Sequence, residues 1–568
     1  MRIRFLPLIL SPFLLCLPAD AQTIGGSFAQ QILKGSASEG WFGRALSSAG
    51  DVNADGFDDV LVGALAPLPG GSAHAGSAFV YSGLDGSLLH QWGGALGGDL
   101  LGAAVAAAGD LNADGHDDLL VSAFGASPGG LSAAGTVFAY SGADGSVLYQ
   151  WNGAHAGDIL GWSIAGVGDL NADGHDDVVL GAWDADPNGL SGAGSAFAYS
   201  GADGSLLLSW DGTLAYDAFG FSVSGVGDVN QDGTPDIVVG SAGATRNGLQ
   251  GCGMAQVFSG ADGSLLWEWD GVETEGDFGH VVAGAGDLNA DGCDDILVGA
   301  HVEDGGGFHD GGTTYALSGA DGALLYRWYG QSQNDRSGSA LCGIGDINRD
   351  GFDDVLIGAP LANPNGLNNA GVASLYSGID GSLIERWYGT TSHDRLGHAV
   401  ANAGDTDGDG YDDLLVSAPL TAPFGLNQGG SVFVYRYRPA LFADRTTISV
   451  STSTTLHLEL DFPSHLRSTP YRLLMSAHGT GPIHFGVDIP LTLDRFLVQS
   501  AVGSYPFAMA SGLHGHLDTH GNASASIDFP AGAYQYAMGT TFWLAAVVKK
   551  GGAEPSHSSA AVAVELIP

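Results

Sequence analysis

Seven short runs of this chain place carboxylates at a spacing that suits a cation, and all read D-x-[ND]-x-D-G-x-x-D. Position 1 is Asp51, Asp110, Asp169, Asp228, Asp287, Asp346 and Asp405. Position 3 is Asn53, Asn112, Asn171, Asn230, Asn289, Asn348 and Asp407. Position 5 is Asp55, Asp114, Asp173, Asp232, Asp291, Asp350 and Asp409. Glycine follows, then Phe57, His116, His175, Thr234, Cys293, Phe352 and Tyr411 at position 7. Each run closes on Asp59, Asp118, Asp177, Asp236, Asp295, Asp354 or Asp413.

Oxygens at 1, 3 and 5, a tight turn at 6 and a backbone carbonyl at 7 follow the logic of calcium loops, here closed by a carboxylate at 9. Four like charges in one turn repel strongly without a cation. A flexible cage of many oxygens suits Ca²⁺ better than Mg²⁺, so up to seven calcium ions are expected, one per loop. Zinc is not expected, because His116, His175 and Cys293 stand where only the backbone oxygen is used. Pro235 at position 8 of the fourth copy, followed by Asp236, marks position 8 as dispensable and position 9 as required. The seventh copy, with four carboxylates, is expected to bind most tightly.

The elements that hold these loops recur with them. Successive loops open 59 residues apart without insertion or deletion, and Trp92, Trp151, Trp210, Trp269, Trp328 and Trp387 keep the same step. So does a glycine, at Gly43, Gly102, Gly161, Gly220, Gly279, Gly338 and Gly397. Each unit reads as four short strands, a to d, with the acidic loop between a and b and an Asp-Gly turn between c and d. Repeated four-stranded antiparallel units predict an all-β fold, a seven-bladed β-propeller over residues 24–438. The seventh unit stops after strand c, and "SFAQQIL" from Ser27 falls where a strand d belongs, so the N-terminal segment is expected to close the ring. Closure also removes exposed sheet edges.

The units resemble FG-GAP repeats, the blades of the propeller at the head of integrin α-subunits. Phe-Gly is literal at Phe42-Gly43, Phe219-Gly220 and Phe278-Gly279, and Gly-Ala-Pro at Gly358-Ala359-Pro360. The resemblance implies a calcium-bearing propeller and an adhesive role, but integrin ligand residues do not carry over position by position. The phased tryptophans also resemble the docking motif of quinoprotein dehydrogenases; packing between blades is the reading for both families. Asp99, Asp158, Asp217, Asp335 and Asp394, just ahead of the repeat glycine, are expected to brace loop backbone.

The balance of 18 basic against 62 acidic residues, net −44, argues against nucleic acid and anionic membrane as partners. The opening, "MRIRFLPLILSPFLLCLPADAQ", reads as a signal peptide over residues 1–21, which predicts a secreted or cell-surface protein without membrane insertion. Cys252, Cys293 and Cys342 are too few for a disulfide framework, although one bridge is possible. Residues 440–568 alternate in strands and predict a C-terminal β-sandwich, similar to modules that follow such repeats in secreted bacterial proteins. Its His514, His516 and His520 fit exposed turns or a metal cluster.

Antiparallel order puts the acidic loops and c–d turns on one face of the disc, and the b–c and d–a loops on the other. The second set varies between blades, and variation on a rigid scaffold is where recognition usually sits. Trp183, Asp184, His301, Glu303, Asp304 and His309 are the first candidates. Three functions follow: a calcium-binding module that binds an extracellular protein or glycan, an extracellular enzyme (hydrolase, lyase or quinoprotein-like) using the central channel, or a structural envelope component. No nucleophile–base pair or acid pair stands out, and the sequence leaves oligomeric state open.

Overall fold

The computed structural model describes residues 24–439, apart from 67, 69, 70 and 349, and a set of strands beyond them. The first blade pairs Ala45–Gly50, Asp59–Ala64, Ser77–Tyr81 and Leu88–Gly93 in chain order, and five more sheets repeat that order. In the seventh, Val400–Gly404, Asp413–Ala418 and Ser431–Pro439 are completed by Ile24–Lys34. That last pairing is antiparallel, from Gly26 opposite Pro439 to Lys34 opposite Ser431. The expected seven-bladed ring is therefore what forms.

Strand a of every blade lies against strand a of both neighbours, the seventh against the first included, so these strands make the innermost ring. Strand b is buried along its whole length in every blade. Neighbouring blades cover both of its faces, which is why it reads as an unbroken apolar run and not as an alternation. Strand d is the most exposed, as in Leu88–Gly93. The repeat glycine is a demand of the crowded seam. Gly102 has φ 81°, and a Cβ there would lie 2.1 Å from the Ser77 carbonyl oxygen.

The tryptophans join consecutive blades. The Trp151 indole donates to the Gly204 carbonyl at 3.0 Å, and Trp210 to Gly263 at 2.9 Å, each in the c–d turn of the next blade. Trp92, Trp269 and Trp328 repeat the bond. The rings of Trp92, Trp151, Trp210 and Trp328 also pack on a strand c aromatic of that next blade, Trp92 on Tyr140 with centroids 4.4 Å apart. Asp99, Asp158, Asp217, Asp335 and Asp394 each accept a backbone N–H three or four residues upstream.

Cys252, Cys293 and Cys342 are all free thiols, so the possible bridge is not made. The signal peptide expected at residues 1–21 lies outside the described residues. So does much of the β-sandwich expected over 440–568; strands described there include Thr454–Asp461, antiparallel to Asn522–Phe529. Among the described residues no helix is long and apolar enough to cross a membrane.

Trp210 is 9% exposed and serves two blades at once. Trp210→Ala is expected to destabilise the propeller by about 3–5 kcal/mol, read as the shift of a denaturant midpoint in calcium. An unchanged midpoint would contradict the inter-blade role.

Candidate metal centres

The seven acidic loops share one backbone template. In the second copy, the Asp110 carboxylate accepts from the Asp114 and Gly115 N–H groups at 3.0 and 2.9 Å. Asn112 Oδ1 accepts from Asp114 at 2.9 Å, and Asp114 Oδ1 from His116 at 3.0 Å. The same bonds recur in the first, third and fourth copies. The side-chain oxygens at positions 1, 3 and 5 are thereby held around the turn.

The later copies depart at position 3. The Asn289 amide donates toward the Asp295 carboxylate at 3.5 Å, and Asn348 donates to Asp354 at 3.0 Å. That leaves the Asn348 Oδ1 buried without a partner, and the Asp407 Oδ1 likewise in the seventh copy. In that seventh copy the carboxylates of Asp405, Asp407 and Asp409 offer oxygens all within 4.8 Å of one another. Orphaned oxygens at position 3 and converging carboxylates fit a hard, oxygen-seeking cation.

The closing aspartates are fully buried in all seven blades. Asp118 Oδ2 accepts from the Leu111 N–H at 3.0 Å, and its Oδ1 from Gly142 in the c–d turn at 3.1 Å. The bond to the c–d turn is repeated by Asp59, Asp177, Asp236, Asp295 and Asp354. Position 9 is therefore a tie between two turns of its own blade as well as a candidate ligand. Burial, and then the neighbouring loop carboxylates, push Asp59, Asp118 and Asp295 up to about 7. A divalent cation beside them would restore the charged form.

Positions 7 and 8 work across the seam. His116 donates from Nδ1 to the Val52 carbonyl of the preceding loop at 2.9 Å, and His175 to Leu111 at 2.7 Å. Gln231 of the fourth loop donates to the Cys293 sulfur of the fifth at 3.0 Å. Only the backbone oxygen of these position 7 residues is left for the loop itself. Position 8 is not dispensable in the sense expected from Pro235. Asp353 accepts the Asp287 N–H at 2.7 Å, Asp176 the Asp110 N–H at 3.0 Å, and Asp58 the Asp405 N–H at 2.8 Å, closing the ring. Pro235 keeps the contact by packing on Gly168, where a Cβ would lie 3.2 Å from its ring. Spacing within one unit could not reveal this, because each bond joins two units.

On the opposite face, a cavity of about 360 Å³ is lined by Trp183, Tyr216 and Phe221, with Asp184, Asp277, His280 and His301. Three of the six candidates for a ligand surface, Trp183, Asp184 and His301, are thus brought together. Asp304 and His309 sit apart from it on an exposed loop, their side chains 3.3 Å from each other. Glu303 does not belong to the surface. It is 7% exposed, and its oxygens accept from the Tyr315 hydroxyl at 2.7 and 2.8 Å and from Thr313 at 3.2 Å. A glutamate in a variable, Gly-rich loop looks solvated in sequence; here it fills the blade. Asp277, His280, Tyr216 and Phe221 were missed, although the repeat phase could have found them. Burial lowers His280 to about 4 and His301 to about 3, so both rings are neutral.

Two tests follow from the loops. Carboxyls raised from about 4 in the unfolded chain to about 7 make metal-free stability fall as pH rises through that window. His280, His301 and His398, each lowered by desolvation, titrate in the opposite sense, so the calcium-induced rise in melting temperature is the quantity to compare. That rise is expected to be larger at pH 7.5 than at pH 5; equal rises would count against calcium at these carboxylates. Asp353→Ala should cost about 1 kcal/mol with calcium stoichiometry unchanged, whereas Asp118→Asn should weaken one site, both read by calorimetric titration.

Comparison with known proteins agrees with the bladed fold. The FG-GAP repeat family model matches residues 42–81, 219–257, 337–376 and 396–435, which are parts of blades one, four, six and seven. Integrin alpha-5 of Xenopus laevis is 30% identical over 250 residues, 41% of this chain and 22% of that protein. Integrin alpha-V of Gallus gallus is 30% identical over 236 residues, 39% and 21% of the two chains. Integrin alpha-4 of Xenopus laevis is 27% identical over 303 residues, 51% and 27%. The chain thus spans between a fifth and just over a quarter of these relatives' length. Matched repeats, seven blades of one period and α-subunit relatives together make this chain an integrin-α-like FG-GAP propeller.

Proposed function

We propose that the protein is an exported binding or adhesion module, a propeller stabilised by up to seven calcium ions that recognises an extracellular protein or glycan. The observation that carries the reading is the division of labour between the two faces. One face repeats the same acidic loop seven times, its first aspartate accepting from the N–H groups four and five residues on in every copy. The other presents different side chains from each blade and gathers an aromatic and acidic cavity. Aromatic walls with a few convergent polar groups are the usual make-up of a ligand site.

Calcium at positions 1, 3, 5, 7 and 9 supplies charge neutralisation in this reading, and the chain's own residues do the rest. The closing aspartate ties the a–b loop to the c–d turn, and position 8 ties one blade to the next. Recognition is assigned to Trp183, Asp184 and His301 with their cavity neighbours.

Calorimetric titration of the mature protein is expected to find about seven sites, with a melting temperature that collapses in EDTA and is not rescued by Mg²⁺. Absence of any calcium-dependent shift would leave the acidic loops as solvated turns and remove the metal from the proposal. Glycan-array and cell-surface binding in calcium should be lost on Trp183→Ala or Asp184→Ala and kept on Glu268→Ala, exposed on the outer strand Leu265–Asp270. Binding indifferent to the cavity variants would place recognition elsewhere.

A further inference from the structure

Three repeat positions meet at the cavity: two residues before the repeat glycine, one after it, and the first residue beyond strand b. In blade two these are Leu100, Ala103 and Phe124, and in blade four Ala218, Phe221 and Ala242. In blade five they are Asp277, His280 and His301, and only there do all three carry metal-ligating side chains. The seven blades thus act as internal controls. The backbone at these positions is common to all of them, so the donors are not needed to build it.

The geometry of blade five is specific. One ligand atom from each of Asp277, His280 and His301 lies within 4.8 Å of the others. The two imidazoles have centroids 3.9 Å apart. His301 is 7% exposed, and its Nδ1 is buried without a hydrogen-bond partner. Ligand bonds of about 2.1 Å in a tetrahedral site hold donors roughly 3.4 Å apart, so the three donors must close by about 1.4 Å at most. The cavity carries two carboxylates, Asp277 and Asp184, against one facing cation, Arg336.

We propose that Asp277, His280 and His301 form a transition-metal site, for Zn²⁺ or another first-row divalent ion, on the face opposite the acidic loops. Two imidazoles and one carboxylate are the donors such ions prefer, whereas calcium takes oxygen alone. Three protein ligands leave a position open, and it faces the cavity. A ligand lying against Trp183 and Phe221 can reach that position. The site stands independently of calcium in the loops.

The test uses the full mature chain in saturating Ca²⁺, titrated with Co²⁺ alone. Wild-type protein is expected to retain one further equivalent, with visible d–d absorption and two paramagnetically shifted imidazole N–H resonances. His301→Phe and Asp277→Asn should each weaken Co²⁺ binding by at least about tenfold while keeping the calcium-dependent melting temperature. His309→Ala, on the exposed loop, should leave the spectrum unchanged. Wild-type protein that retains no Co²⁺ in saturating calcium would overturn the site. So would Co²⁺ held equally by His301→Phe and Asp277→Asn, or a spectrum lost only in His309→Ala. Because the wild-type reading needs no variant, misfolding of a mutant cannot shelter the proposal.

Discussion

The structure rests on seven carboxylates buried at the roots of its most buried strands. A desolvated carboxylate is costly unless its oxygens are satisfied. In each of the first six blades both the sequence and the fold answer that requirement in one way: the closing aspartate takes a backbone N–H from the c–d turn of its own sheet. Two turns that are remote in sequence are thereby fixed to one another, and the strands between them inherit their register. Desolvation still holds these groups above the usual carboxylate range, and a divalent cation beside them would relieve that cost.

From that tie the blades assemble by seam contacts of three kinds. Tryptophan at the end of strand d reaches into the next blade's c–d turn. The carboxylate at position 8 reaches back to the previous loop's first N–H. Small residues in strand a, where seven strands crowd around one axis, let the backbones approach. These contacts use different edges of the blade, outer, lower and inner, so no single one carries the whole disc.

Much of this was legible in the sequence because the repeat does not slip. A fixed period exposes what each unit needs for itself: four strands, one acidic loop, one tryptophan. It says less about what one unit does for the next. Asp353 looked optional because Pro235 replaces its counterpart, yet both fill the same space against the neighbouring blade, one by a hydrogen bond and one by its ring. His116 and His175 read as bystanders, and their imidazoles turn out to stitch adjacent loops. Glu303 failed for another reason: composition places a charged residue of a glycine-rich loop in solvent, whereas the fold sets it against the Tyr315 hydroxyl, which donates to it. The blade-five triad needed both levels, phase to align the positions and geometry to bring them together.

The strand that completes the seventh blade has a mechanical consequence. Ile24–Lys34 and Ser431–Pro439 run antiparallel, and the pair Gly26 and Pro439 lies at the end where the chain enters and leaves the ring. Tension applied through those two ends loads the ladder in peeling mode, so its bonds break one after another instead of sharing the force. The disc is therefore weakest along its own chain ends and strong against loads applied across its faces, where all seven blades act together. A tether at one end with a ligand on the variable face spares the weak ladder, and a pull between both ends opens it first.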